Sequence, residues 1–423
     1  MNIVICGLGY VGVTASACLL KDGHSVTGID INVDKVAAVN AGQSPVSEPE
    51  VSELLAAGLA DGRLAADTDV TAHLAGADLV FVCVGTPSTP AGGHDMRYVE
   101  AVANELGAAI AGMPGRADPL LIVFRSTVQP GSMEGLILPA LENAAGEAPG
   151  GKYEIAFNPE FLRESTAVAD YFAPPKIVIG EREPGITKRL LGVYDGIDAP
   201  VFELPFGAAE MVKLTDNAFH ALKVSFGNEV GRIALDLGVD PQAVIDVFLA
   251  DTKLNISPYY FRPGGPFGGS CLPKDVRAIN ALAGARGVQV PVMASMLPSN
   301  EAHKDYLAGR VLDGLKPGGS VLLLGLSFKS ATDDLRESPL VDLAETLNGK
   351  GVDLKIYDPD LKGRELIGAN LRFIEERLPH LSRLLIAELS EAPDPDLIVI
   401  GKRMGDVEAA LAPDAARIDF VSL

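Results

Sequence analysis

Basic side chains are scarce in this sequence. Lys plus Arg number 35 against 56 Asp plus Glu, a formal net charge of −21 at pH 7 over 423 residues. Such a surface repels phosphate backbones and anionic lipid, so nucleic-acid binding and membrane-surface work are excluded. An anionic small molecule would need a local pocket of cations and helix N-termini. Cysteine is scarce as well. Cys6, Cys18, Cys83 and Cys271 are too few and too scattered for a disulfide framework, and they lack the close paired spacing of a zinc site. No metal is expected, and a reducing cytoplasm fits them best. Long apolar runs are also missing. Residues 1–20 carry no charged side chain, yet they have no positive n-region and are cut by Gly7, Gly9, Gly12 and the polar Lys21-Asp22-Gly23-His24 turn. They read as neither signal peptide nor membrane helix, and no other stretch is long enough to span a bilayer.

What remains is ordinary globular usage, 48% hydrophobic and 22% charged residues, in a chain long enough for two or three domains. Short β-branched runs alternate with helical segments from the first residue. Strands read at Asn2–Cys6, His24–Ile29, Leu79–Val84, Leu120–Phe124, Ile155–Phe157 and Lys176–Ile179, the βαβ rhythm of a parallel, doubly wound domain over 1–205. From residue 206 to about 237, Met211, Val212, Leu214, Phe219, Leu222, Phe226, Val230 and Ile233 recur at helical spacing until Gly238. This predicts a long spine helix opening a helical region over 206–310. Leu315-Lys316-Pro317-Gly318-Gly319 then breaks the chain. Strands at Ser320–Leu324, Leu354–Tyr357, Leu397–Ile400 and Ile418–Val421 predict a second α/β domain over 311–423. The expected fold class is therefore α/β, two doubly wound domains joined by a central helical region.

Gly7-Leu8-Gly9-Tyr10-Val11-Gly12 follows the first strand and opens the first helix, the arrangement a dinucleotide pyrophosphate needs. Glycine allows a tight turn and close approach, and the helix N-terminus supplies N–H donors and partial positive charge. Asp30 ends the second strand 18 residues after Gly12, where a carboxylate accepts both ribose hydroxyls and repels a 2′-phosphate. NAD is therefore favoured over NADP. Val82 to Pro87 and Arg125-Ser126-Thr127 end further strands with small, turn-forming residues suited to a cofactor edge.

Cys271 stands apart from the other thiols, which lie in strand or helix patterns as small apolar residues. It follows the loop Gly264-Gly265-Pro266-Phe267-Gly268-Gly269-Ser270 at the expected start of a helix, with Pro273 in the first turn and Lys274 close by. Helix dipole and cation both favour thiolate, so a nucleophile is expected. On the long helix, Lys213, Asn217 and His220 fall at i, i+4 and i+7, and Asn228 lies near the same stripe. That face lacks the Glu and Lys abundance of a solvated one, and reads as one wall of an active site.

These blocks, with Asn158 to Ser165, Glu210 to Asn217, Phe267 to Arg277, and Gly325 to Lys329 through Asp333 to Pro339, resemble the nucleotide-sugar 6-dehydrogenases over nearly the whole chain. The resemblance implies an N-terminal NAD-binding Rossmann domain, a central helical dimerisation region and a C-terminal Rossmann-like domain for the nucleotide sugar. It implies a homodimer or higher homo-oligomer. The implied reaction is a four-electron oxidation of a hexose 6-hydroxyl to a carboxylate with two NAD. An aldehyde has no alkoxide to expel the second hydride, so Cys271 adds first, giving a thiohemiacetal that is oxidised to a thioester and hydrolysed. By the same resemblance Lys213, Asn217 and Thr127 steady the oxyanion and the proton relay, while Asp275 and Glu164 serve the water step, with the choice of base left open between them. NAD contacts are implied for Tyr10, Val11, Asp30, Lys35, Thr86, Thr127, Lys274 and Arg336. Sugar-nucleotide contacts are implied for Glu164, Lys213, Asn217, His220, Asn228, Tyr259, Tyr260, Arg262, Gly265 and Lys329. The paired tyrosines and arginine before the cysteine loop resemble the branch acting on GDP-mannose, in alginate-like polyuronate synthesis. A UDP-glucose or other UDP-hexose enzyme is the alternative substrate reading. A non-catalytic nucleotide-sugar sensor is the alternative from another class, and the intact Cys271, Lys213, Asn217 and Asp275 speak against it.

Overall fold

The computed structural model describes residues 1–90, 93–183, 185, 188–258, 260–261, 263–269, 271–327, 335, 337–361, 380–392, 394–409, 411 and 415–421. Tyr259, Arg262, Lys329 and Arg336 lie outside the described residues. The chain divides into two compact units, Met1–His220 and Ala221–Leu423.

The first unit is a sheet of eight strands: β1 (Asn2–Cys6), β2 (Ser25–Ile29), β3 (Leu64–Asp67), β4 (Leu79–Val82), β5 (Leu120–Phe124), β6 (Tyr153–Phe157), β7 (Ile177–Glu181) and β8 (Val201–Pro205). Their order is β3-β2-β1-β4-β5-β6-β7-β8. The chain leaves β1 on one side towards β2 and returns on the other at β4, so the carboxyl ends of β1 and β4 form the topological switch point where open α/β sheets take their ligands. Helices cover both faces, which is why the central strands read as unbroken apolar runs. The two-residue alternation decides which face each side chain serves. Ile3 and Ile5 pack with Val13, Ala17 and Leu55 on one face, while Val4 and Cys6 pack with Val99, Leu106 and Leu141 on the other.

Three features depart from the expected layout. The Leu64–Asp67 strand is short and alanine-rich, and Val201–Pro205 is largely exposed, so neither carries a strong strand signal. The β6–β7 pair is antiparallel, Phe157 facing Gly180, and β7 and β8, parallel to each other, therefore run against the rest. The segment between β6 and β7 holds only a six-residue helix, Ala167–Phe172. Its length goes instead into a loop that returns to the carboxyl edge of the sheet, rather than a crossover helix of the kind that joins parallel strands.

A 31-residue helix, Phe206–Asp236, passes through the unit boundary and ends before Gly238 at φ +68°. The second unit adds helices Pro241–Ala250, Leu272–Ala285 and Pro291–Asp313, then a parallel sheet of β9 (Ser320–Leu324), β10 (Asp353–Tyr357), β11 (Leu397–Ile400) and β12 (Arg417–Asp419). The order β10-β9-β11-β12 sets a second switch point between β9 and β11. The last strand is shorter than expected and stops at Asp419. No described helix is long and apolar enough to cross a membrane.

Phe124 is fully buried at the carboxyl end of β5. Phe124→Ala is expected to cost about 3–5 kcal/mol, read as a lower urea midpoint with an unchanged slope; a loss within experimental error would remove this strand from the core account.

Candidate active site

The turn after β1 is held from three directions. Gly7 has φ +100°, and a Cβ there would come within 2.9 Å of the Val84 amide nitrogen. A Cβ on Gly12 would overlap the Gly7 carbonyl oxygen, while Gly9 has open space around it. Both glycine requirements come from backbone meeting backbone. The Asp30 carboxylate accepts the Leu8 amide at 2.8 Å and the Asn32 amide at 2.9 Å, and the Lys35 ammonium reaches it at 3.1 Å. The turn is thus fixed by the same acid that faces a ribose in a dinucleotide fold. An open cradle, a helix N-terminus at Tyr10–Lys21 and an acid at the second strand's end fit a dinucleotide without a 2′-phosphate.

The other edge residues assemble around this turn. Thr86 donates its hydroxyl to the Thr127 carbonyl at 2.6 Å, and Ser126 donates to the Val84 carbonyl at 2.6 Å. The Arg125 guanidinium is buried and bonds Asn158 and Tyr194. Tyr10 donates to Glu48 at 2.7 Å, and Glu48 also accepts the amides of Ser165 and Ala167 at 2.8 and 2.9 Å. Burial and this carboxylate push the Tyr10 phenol above its usual range. Glu48 therefore ties the first helix to the loop that carries Glu164. That bond crosses more than a hundred residues of sequence and has no local signal.

Lys213 has a different partner from those its helix stripe suggested. Its side chain is buried, and its ammonium donates to the Glu160 carboxylate at 2.9 Å and the Glu160 carbonyl at 2.6 Å, with the Phe161 ring 5.5 Å away. Sequence reading did not single out Glu160; Glu164, four residues on in the same loop, is exposed. The available signal was Pro159, which pins the segment directly after β6 and leaves the next side chain at the sheet's carboxyl edge. Asn217 and His220 share the helix face with Lys213 but are exposed, and so is Asn228.

In the second unit, Cys271 is exposed and occupies the N-cap of helix Leu272–Ala285, with proline in the first turn. The glycine-rich loop before it is clamped. The Phe267 amide donates to Asn300 at 2.9 Å, Asn300 donates back to the Phe267 carbonyl at 2.8 Å, His303 lies 2.8 Å from the Gly264 carbonyl, and the Gly269 amide donates to the Glu337 carbonyl at 3.1 Å. Asn300 and His303 were invisible to sequence reading because they lie on a later helix. Lys274 turns to Asp275 at 3.5 Å, both of them exposed, so the cation expected to favour the thiolate faces its neighbour's carboxylate. Tyr260 and Gly265 line one cavity of about 410 Å³ with Lys304, Asp305 and Phe420. The other three thiols are buried. Burial pushes Cys18 and Cys83 up to about 12 and raises Cys6 further.

Residues 1–198 match the NAD binding domain of the UDP-glucose/GDP-mannose dehydrogenase family, residues 207–302 its central domain and residues 322–392 its UDP binding domain. The chain belongs to that family. The GDP-mannose 6-dehydrogenase of Pseudomonas putida is 45% identical over 404 residues, 95% of this chain and 91% of that one. A UDP-glucose 6-dehydrogenase of Bacillus subtilis is 34% identical over 364 residues, 85% and 80% of the two chains. A crystal structure of a ternary complex of GDP-mannose dehydrogenase from Pseudomonas aeruginosa superposes with a TM-score of 0.94 at 42% identity, covering 100% of this chain and 96% of that one. For a UDP-glucose dehydrogenase from Pyrobaculum islandicum the TM-score is 0.57 at 35% identity, covering 99% and 94%. Members of this family are NAD-dependent dehydrogenases, and this chain carries the family's NAD binding domain from its first residue.

Two outcomes follow. Iodoacetamide at about pH 8 should label Cys271 in the native enzyme and spare Cys6, Cys18 and Cys83, whose thiols stay protonated there; peptide mass mapping checks this, and native labelling of Cys83 would overturn the burial argument. Glu160→Ala leaves the Lys213 ammonium buried without its carboxylate and should cost about 3–5 kcal/mol of stability, measured by urea unfolding against Glu164→Ala, for which no loss is expected.

Proposed function

We propose that this chain oxidises GDP-mannose to GDP-mannuronate with two NAD per sugar, and that Cys271 is its nucleophile. The observation that carries the reading is the exposed Cys271 at a helix N-cap, in a loop clamped by Asn300, His303 and Glu337, in a chain of this family. The choice of GDP-mannose is supported by the higher identity to GDP-mannose enzymes than to UDP-glucose enzymes and by the fit over the whole chain.

NAD, when bound, supplies the hydride acceptor for both oxidations. The residues proposed to hold it are the Gly7–Gly12 turn, Tyr10, Val11, Asp30, Lys35, Thr86 and Thr127, together with Lys274 and Arg336. After the hydroxyl has become an aldehyde, the Cys271 sulfur bonds to the carbonyl carbon and the oxygen takes a proton, giving a thiohemiacetal. Its carbon then gives up the second hydride, its hydroxyl gives up a proton, and a thioester forms. Water attacks that carbon, the C–S bond breaks, and carboxylate, thiolate and two protons are released. The reading assigns Lys213, Asn217 and Thr127 to the oxyanion, with Glu160 orienting the Lys213 side chain through two hydrogen bonds. Glu164 or Asp275 activates the water. The sugar nucleotide is proposed to meet Lys213, Asn217, His220, Asn228, Tyr259, Tyr260, Arg262, Gly265 and Lys329.

A homo-oligomer belongs to the same reading. Val224, Leu235 and Val247 are 64%, 68% and 76% exposed, and large apolar side chains left exposed on neighbouring stretches of the sequence support an interaction surface there. The buried thiols fit a reducing cytoplasm.

Purified enzyme given limiting GDP-mannose should form two NADH per sugar, and none with UDP-glucose. Cys271→Ser should still bind both ligands and form no carboxylate; unchanged turnover by this variant would sink the mechanism, and two NADH from UDP-glucose alone would sink the substrate.

A further inference from the structure

The first unit's glycine turn has a counterpart in the second. Gly325 follows β9 with φ +100°, the value at Gly7. The Gly325 amide donates to the Tyr357 carbonyl at 2.9 Å, as Gly7 donates to Ile29 at 2.7 Å. Asp358, directly after β10, accepts the Leu326 amide at 2.9 Å and the Asp360 amide at 3.0 Å. Asp30 makes the same two bonds to Leu8 and Asn32.

The two turns differ in their cation. Lys35 approaches Asp30 from the helix after β2, and its side chain is 36% exposed. In the second unit the cation is Lys402, which follows β11 on the far side of the switch point. Its side chain is 4% exposed and that of Asp358 is fully buried. The Lys402 ammonium donates to Asp358 at 2.6 Å, Asp360 at 2.9 Å and the Ser327 hydroxyl at 2.8 Å. Backbone joins the same corner, since the Gly401 and Lys402 amides both reach the Leu324 carbonyl. A buried lysine therefore spans the crevice at the base of the turn, where a nucleotide's phosphates approach in a doubly wound fold.

Nothing in the mechanism above uses Lys402. With it, the two carboxylates and one ammonium leave one net negative charge at the turn. Without it, two negative charges stand there, one of them buried and uncompensated. A diphosphate arriving at the turn meets that field directly.

We propose that Lys402 is a positioning residue for the sugar nucleotide: it holds the Gly325–Ser327 turn and cancels the Asp358 charge, so that the crevice between β9 and β11 accepts the nucleotide's diphosphate. This rests on the reading that the second unit takes the nucleotide of the sugar substrate. The acid that reads a ribose in the first unit is, in the second, consumed by an internal cation.

The test sets Lys402→Met against Asp358→Asn in the full-length enzyme, with KM measured separately for sugar nucleotide and for NAD. Lys402→Met should raise the sugar-nucleotide KM about tenfold or more, as an uncompensated buried charge implies. Asp358→Asn should lower it or leave it within about twofold. The NAD KM should stay within about twofold in both. A purely structural lysine would raise the sugar-nucleotide KM in both variants, or raise both KM values in Lys402→Met; either result overturns the proposal. Should Lys402→Met fail to fold, the double variant Asp358→Asn/Lys402→Met removes both buried charges. It should fold with a sugar-nucleotide KM within about threefold of the wild-type value, and a rise of about tenfold or more would overturn the proposal. The ratios are taken on whichever of GDP-mannose and UDP-glucose the wild-type enzyme oxidises. A change of substrate thus overturns the proposed function and leaves the test of Lys402 intact.

Discussion

A backbone amide that points at a carboxylate from the neighbouring strand organises both halves of this chain. Leu8 to Asp30 and Leu326 to Asp358 are the bonds in question. Each turn runs through a glycine at positive φ, where the amide of the following residue is left without a strand or helix partner, and each is closed by an acid one parallel strand away. The acid must sit at the end of its strand, the strand must be the immediate neighbour, and the glycine must pass under the next strand's exit. The sheet orders, with β1 and β9 each flanked by the strand that supplies the acid and the strand that closes the crevice, satisfy these demands together.

Features encoded within about twenty residues were legible in the sequence. The β1–turn–helix–β2 unit with Asp30, the long helix from Phe206 and the N-cap position of Cys271 all follow from local spacing, because each is made by near neighbours in sequence. Features made by distant neighbours were not. Glu48 gains its role only when Tyr10, Ser165 and Ala167 come together, and Glu160 only when Lys213 is laid across the end of β6. The same reason explains the antiparallel β6–β7 pair. Strand direction depends on how a connection is routed, and Asn158 to Lys176 offers neither a turn signal nor a helix period strong enough to say. Glu160 lies four residues before Glu164 on the same loop, and no local spacing in that loop marks it as the partner of Lys213.

Charge is distributed with the same economy. A chain of net charge −21 buries some of its cations: Arg125, Lys213 and Lys402 are all under 9% exposed. Arg125 and Lys213 stand at the carboxyl edge of the first sheet, and Lys402 at that of the second. Each is met by oxygen acceptors close by, Asn158 and Tyr194 for Arg125, Glu160 for Lys213, and Asp358 with Asp360 for Lys402. The surface is left acidic while the crevices are assembled around fixed positive groups. Because such groups are desolvated when the chain folds, their orientation is already set before a ligand arrives.

The third position of each turn separates the two halves in a further way. Gly9 leaves empty space where a side chain would begin, whereas Ser327 is fully buried, its hydroxyl bonded to Asp358 and approached by Lys402. An empty turn is completed by whatever occupies it, so its share of the folding free energy rises with the logarithm of ligand concentration. A turn filled by its own side chains contributes the same amount in a starved cell as in a replete one. The first unit's turn therefore gains resistance to unfolding as the supply of nicotinamide dinucleotide rises, while the second unit's turn is already held by its own bonds before a ligand arrives.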